Sequence, residues 1–243
     1  MKTLVAELRA VLIPGIDARQ GPLPPMLVIM TVVTGLVDSF SFLKLGHVFV
    51  ANSTGNILFM GFALAHVPGF SIVESSLALA ATLVGAFVGG RLCSAYADHR
   101  DQILGLTASI EAVLIAIAVL LSLFTSIPVH GIYRTALVGV LGVAMGIQNA
   151  AARKLAVPDL TTTVLTLTIT GLGADSVLAG GTGSRAGRRL IAIASMLIGA
   201  VIGALLELHT ALCTPLITAL LLMLVVVVWV TMAGRSNGAW TSA

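Results

Sequence analysis

The chain has 243 residues, of which 58% are hydrophobic and only 9% charged, with a net charge of +3. Soluble domains carry about 25% charged residues, so a soluble fold is excluded: so few charges do not cover that much apolar surface. The basic residues gather at the ends of hydrophobic segments, where topology determinants belong, which excludes a nucleic-acid-binding surface.

Taken in chain order, residues 1–20 stand apart. Leu4, Leu8 and Leu12 recur at helical spacing opposite Lys2, Glu7 and Arg9, and Pro14-Gly15 breaks the run. This predicts a short helix lying on the membrane surface and a linker, not a signal peptide. Eight apolar segments follow, at about 25–44, 48–66, 75–96, 103–126, 134–153, 160–178, 188–208 and 210–233. The uncharged runs 112–133, 135–152, 190–206 and 208–234 are near or above the roughly 17–25 residues that cross a bilayer. No connection is long enough to be a domain of its own. The expectation is one membrane domain at 21–234 and a short tail at 235–243.

The segments repeat. Gly85-Ala86-Phe87-Val88-Gly89 in the third matches Gly199-Ala200-Val201-Ile202-Gly203 in the seventh, an offset of 114. Asp38 and Asn149 each follow a glycine, Gly35 and Gly146, by three residues, an offset of 111. The polar run from Asn52 pairs with the run from Asp159, an offset of 107. A duplicated four-segment unit is predicted, with halves at about 25–126 and 134–233. The pairs Gly85/Gly89 and Gly199/Gly203 suit close helix contact.

Charge chooses the topology. If all eight segments cross from an inside N-terminus, eight Lys/Arg lie inside and five outside. If the second and sixth dip in and return, only Lys44 and Arg134 lie outside and the other eleven inside. The positive-inside rule favours the second arrangement. The predicted fold is therefore an all-α integral membrane protein: six transmembrane helices plus two interrupted or re-entrant segments. Three crossings per half make the halves an inverted repeat and put both termini in the cytoplasm.

Polar groups inside these segments are the functional candidates, since an unpaired one costs several kcal/mol in lipid and such groups mark sites or pathways. Asp38, Asn52, Thr54 and Asn56 form one expected half-site for a solute or ion. Asn149, Asp159, Thr161 and Thr163 form the other. The bland alternatives are helix capping by Asn52, Thr54 or the Pro158-Asp159 start, and a buried Asp38 satisfied by the Asn/Thr run. Asp38 lies about 15 residues into its helix, or ~22 Å, and is one candidate proton carrier. Glu111, alone in the fourth segment, is the other. The counterpart of Asp38 is Asn149, which does not titrate. Asp175, with Gly180, Gly181 and Gly183, reads as a loop and not as a nucleotide site, because no GK[ST] follows. Cys93 and Cys213 have no metal spacing and are expected on opposite faces, unpaired. With no metal cluster, no cofactor motif and no Ser/His/Asp arrangement, no enzyme is expected.

The stretch Gly35-Leu36-Val37-Asp38, followed by Phe49-Val50-Ala51-Asn52-Ser53-Thr54-Gly55-Asn56, resembles the YoaK-like family of uncharacterised bacterial membrane proteins. Its signature pairs Gly-x-x-Asp in the first helix with Phe-x-x-Asn-x-Thr-Gly-Asn shortly after. The resemblance implies a multi-pass protein of the bacterial inner membrane with six spans, and no activity. Function is read from the residues: a small secondary transporter or permease for a small polar solute, with proton or cation coupling. The alternative is a non-transporting membrane scaffold or assembly protein whose polar runs serve packing. Its expected partners are the lipid bilayer and the solute, with no nucleic acid.

Overall fold

The computed structural model describes residues 7–9, 11–13, 20–125, 127–181, 183, 185–235 and 238–242. Among them the fold is all-α. Six helices are long and apolar enough to cross a membrane: α1 (Leu23–Lys44), α3 (Ile72–Ala95), α4 (Arg100–Leu123), α5 (Gly131–Leu155), α7 (Ala186–His209) and α8 (Thr214–Gly234). Two are short, α2 (Ser53–Leu64, 12 residues) and α6 (Thr166–Ala174, 9 residues). At 1.5 Å per residue these reach only ~18 and ~14 Å, well short of a bilayer core of about 30 Å.

Local signals set the helix ends. Prolines occupy the first turn of α1 and of α8, where a missing N–H costs nothing. Ser71 caps α3 by accepting from the Glu74 amide and donates its hydroxyl to the Glu74 carboxylate. Of the predicted N-terminal helix, residues 7–9 and 11–12 are helical, and the linker 14–19 lies outside the described residues. Val11 is fully buried, and the Glu7 carboxylate accepts from the Gly187 amide at the start of α7. This segment therefore leans on the bundle as well as on its surface. Trp240 in the tail is also fully buried. It packs on Gly21 so closely that a methyl group there would lie 2.4 Å from the indole, and the φ of +43° at Gly21 favours glycine as well.

Glycine contacts define the core. A methyl group at Gly35 would lie 2.4 Å from the Met196 carbonyl oxygen, and one at Gly199 2.2 Å from that of Val32, so α1 and α7 touch backbone to backbone. One at Gly146 would lie 2.2 Å from the Thr82 carbonyl oxygen, and one at Gly85 2.2 Å from that of Val143, so α3 and α5 do the same. The two sets are one set. Adding 111 to the α1 positions gives those of α5, and subtracting 114 from the α7 positions gives those of α3. Gly203 on Leu36 and Ser39 likewise repeats as Gly89 on Ile147 and Ala150. These glycines join the two halves of the chain; they do not pack within a half.

Ion pairs and bonds show which ends meet. Lys44 pairs with Glu207, and Arg134 with Glu74, where α1 and α7 end and α3 and α5 begin. At the opposite face Arg100 donates to Leu155 and Arg188 to Gln20, and Gly234 at the end of α8 abuts Asp101.

Both short segments dip and return. After α1 the chain doubles back, so that the amides of Val50 and Ala51 donate to Asp38, six residues before the helix end. Thr82, ten residues into α3, donates to the Val50 carbonyl. α2 then leads out to the start of α3. After α5 the chain reaches back to Asn149 through Thr163 before α6 leads to the start of α7. The second turn is built from left-handed residues that are not glycine: Ala156 at φ +49°, Asp159 at +63° and Thr162 at +61°. Such residues cost roughly 1–3 kcal/mol each and persist only where their surroundings hold them.

Candidate functional site

The two interruptions face each other across one cavity of about 560 Å³. Asn52, Ser53 and Thr54 line it from the first half, and Asn149, Thr163 and Thr166 from the second. Leu58, Ile169 and Met196 supply apolar wall. Both short helices begin at this space. Neither Asn52 nor Leu165 caps its helix with a side-chain bond, and neither first turn holds an acid. The N-termini of two helices, each carrying about half a positive charge, thus meet polar side chains at one cavity.

The predicted residues divide into those that face the cavity and those that hold its walls. Asn52 and Thr54 are exposed to it, and Asn149 is half-buried beside it. Thr163 lines it but donates its hydroxyl to the Asn149 side chain. Asp38 does not reach it. Its Oδ1 accepts the amides of Val50 and Ala51 at 3.0 and 2.9 Å, and the residue lines a separate cleft between α1 and α7. Asn56 is fully buried, accepting from the Phe49 amide and donating to its carbonyl, so it ties the turn ahead of α2. Thr161 points outward and donates to the Val164 carbonyl.

Asp159 sits with the guanidinium of Arg189, which it meets at 2.8 Å and which also holds Asp175 at 2.6 Å. Arg185 stands 4.0 Å away, and the guanidinium lies over Gly171, where no side chain would fit. Glu111 is fully buried in α4, with neither carboxylate oxygen bonded. It lines none of the cavities described.

The cavity also corrects the repeat. Asn52, Gly55 and Leu58 stand opposite Thr163, Thr166 and Ile169, an offset of 111. The run from Asn52 therefore matches the run from Thr163, four residues beyond the expected Asp159. Three contributors were not named as site residues from the sequence. Thr166 opens α6 onto the cavity. Gln148 donates to Thr34 across the halves at 2.8 Å. Phe42, Phe49, Phe59, Phe62 and Phe70, with His47, form one aromatic cluster around the first turn. Only the Gln148-Asn149 dipeptide carried a signal, as polar residues in an apolar run. Cys93 and Cys213 are both free.

Residues 26–229 match the model of a family described as "Protein of unknown function (DUF1275)". The chain belongs to this family. It is similar to the UPF0700 transmembrane protein YoaK of Bacillus subtilis (strain 168), with 31% identity over 153 residues. That alignment takes in 62% of this chain and 65% of the relative, so the match spans less than two thirds of the relative's length. The YoaK-like resemblance of the Gly35–Asn56 stretch is thereby established, and with it a membrane protein. No solved structure matches the chain.

Proposed function

We propose that the protein is a small secondary transporter that binds a small polar solute in the central cavity. One observation carries the reading: interruptions from both halves of a duplicated chain open onto one space of about 560 Å³. Discontinuous helices that meet near the midplane are a recurring transporter plan. Two inverted halves fit the way α1 ends and α5 begins at one face, marked by Lys44 and Arg134. On the positive-inside rule that face is the outer one, both termini are cytoplasmic, and the membrane is the bacterial inner membrane. No enzymatic step enters this reading.

Asp38 is the coupling residue in this scheme. Its carboxylate accepts two amides of the first interruption, and a proton or cation there competes with the Val50 and Ala51 amides for the same oxygen. Titrating Asp38 thereby loosens the turn that shapes the cavity. Glu111 is the weaker coupling candidate, being remote from both turns. The scaffold alternative draws on one observation: Asp38 and Asn56, the deepest polar residues of the first turn, spend bonds inside the chain.

Purified protein screened against a panel of small polar solutes separates the readings. A transporter is stabilised by its solute through mass action and carries it into proteoliposomes. Asp38→Asn, which keeps an acceptor for the two amides, should stay folded while losing the pH dependence of uptake. Absence of both stabilisation and flux for every solute would favour the scaffold.

A further inference from the structure

Two clefts flank the central cavity, one between α1 and α7 and one between α3 and α5, of about 450 and 510 Å³. They obey the same repeat as the glycine contacts. Asp38, Phe42 and Leu43 in the first become Asn149, Arg153 and Lys154 in the second, and Ala204 becomes Gly90. Each cleft also shares residues with the cavity. Asn52 and Met196 belong to the first cleft and the cavity, and Asn149 to the second cleft and the cavity. Phe42 lies two residues before the end of α1, at the Lys44 face, and Arg153 two before the end of α5, at the opposite face.

We propose that these clefts are the two mouths of one route through the central cavity, and that the Arg153/Lys154 mouth admits a small, singly charged anion. The inference rests on the cavity being the solute site and names the solute's class. The positions that are Phe42 and Leu43 at one mouth are both basic at the other. Among the described residues no acid lines that basic cleft or the cavity. A low-dielectric cleft with one sign of charge focuses its field and raises the local concentration and entry rate of the opposite charge. The cavity offers Asn, Ser and Thr side chains but no cation, so the burial cost of a second negative charge would go uncompensated. Asp38, the one acid along the route, has a carboxylate oxygen occupied by two amides.

Thiol labelling tests the route and the charge without knowledge of the solute. Gly90→Cys and Ala204→Cys are repeat-related, and a side chain at Gly90 enters open space. Each is made in a Cys93→Ser/Cys213→Ser background, reconstituted, and treated from one face at a time with impermeant methanethiosulfonates bearing a sulfonate or a trimethylammonium group. Gly90→Cys should react from the arginine-rich face only, and Ala204→Cys from the Lys44 face only. Normalised to the rates at Ala204→Cys, the sulfonate should outpace the ammonium reagent at Gly90→Cys by about tenfold. Adding Arg153→Gln and Lys154→Gln should bring that ratio close to one. Labelling of both thiols from one face overturns the route, as does labelling only by a membrane-permeant maleimide. Equal rates for the two reagents, or a preference that survives loss of both cations, overturn the anion assignment. None of these outcomes bears on whether the cavity binds a solute, which the stabilisation screen decides separately.

Discussion

The two re-entrant turns do the same job with different chemistry. The first is tied by one buried carboxylate, Asp38, that accepts two backbone amides, by the Asn56 bonds to Phe49, and by a cluster of five phenylalanines. The second uses the Thr163 bond to Asn149, bonds to the Val164 and Pro158 carbonyls from Thr161 and Arg188, and an ionic network in which the largely buried Arg189 holds Asp159 and the more exposed Asp175. The first turn is largely apolar and holds one left-handed residue besides glycine, His47, whereas the second carries three under ionic restraint. The helices of the two halves match contact by contact, while the turns differ. Close backbone packing tolerates no substitution, whereas a turn needs only some acceptor or some counterion. One consequence follows for mechanics. The second turn should yield to salt and the first should not.

The largest expected effect tests the shared part. Gly85→Ala and Gly199→Ala both push a methyl group to 2.2 Å from a neighbouring backbone oxygen, so helices must separate. Each should cost at least about 2–3 kcal/mol, read by thermal unfolding in detergent, and the two costs should agree within about 0.5 kcal/mol. Gly139→Ala, with nothing nearby, should be neutral. Unequal costs for the matched pair would break the symmetry that the comparison assumes.

Next come the turns. Asp38→Ala strands two buried amides and should cost about 1.5–3 kcal/mol, the worth of bonds to a charged group. Asn149→Ala removes one bond and should cost about 1 kcal/mol. A cost for Asn149→Ala equal to that for Asp38→Ala would contradict the assignment of the stronger tie to the first turn.

A smaller and more selective effect is expected from Arg189→Gln. It should raise amide hydrogen exchange across residues 156–181 and leave residues 46–52 unchanged. Raising salt from 0.1 to about 1 M shortens the Debye length to about 3 Å and should reproduce part of that change in the unmodified protein. Equal loosening of both turns by salt would remove the distinction between them.

Much of this was legible in the sequence, and the failures have physical causes. Apolar runs and the placement of Lys44 and Arg134 alone gave six spans and two returns, because hydropathy and charge are read directly by the bilayer. Asn52 and Thr54 stood out because polar residues in an apolar run are rarely accidental. Asp159 was read as a site residue because it opens a polar run in an apolar stretch, and the alternative reading took Pro158-Asp159 for a helix start. The helix begins seven residues later, at Thr166. Asp159 takes a left-handed φ, and its carboxylate goes to Arg189, 30 residues away. No spacing rule links residues so far apart. The same resemblance of composition, Asn-Ser-Thr against Asp-Leu-Thr-Thr-Thr, misaligned the repeat by four residues, and only the opposed cavity walls restored the offset of 111. Thr166 was overlooked because a threonine at the start of an apolar helix carries no signal until its opposite wall is known.

The central claim is that one solute touches both halves at the start of α2 and α6. Thr54 and Thr166 test it most directly. Both are exposed to the cavity, so Thr54→Val and Thr166→Val should leave the unfolding free energy within about 0.5 kcal/mol of the wild type. Equilibrium binding of whichever solute stabilises the wild type should be measured for both variants. The account predicts that each loses about fivefold or more in affinity, the worth of about 1 kcal/mol for one hydrogen bond. Unchanged affinity in either variant would contradict it.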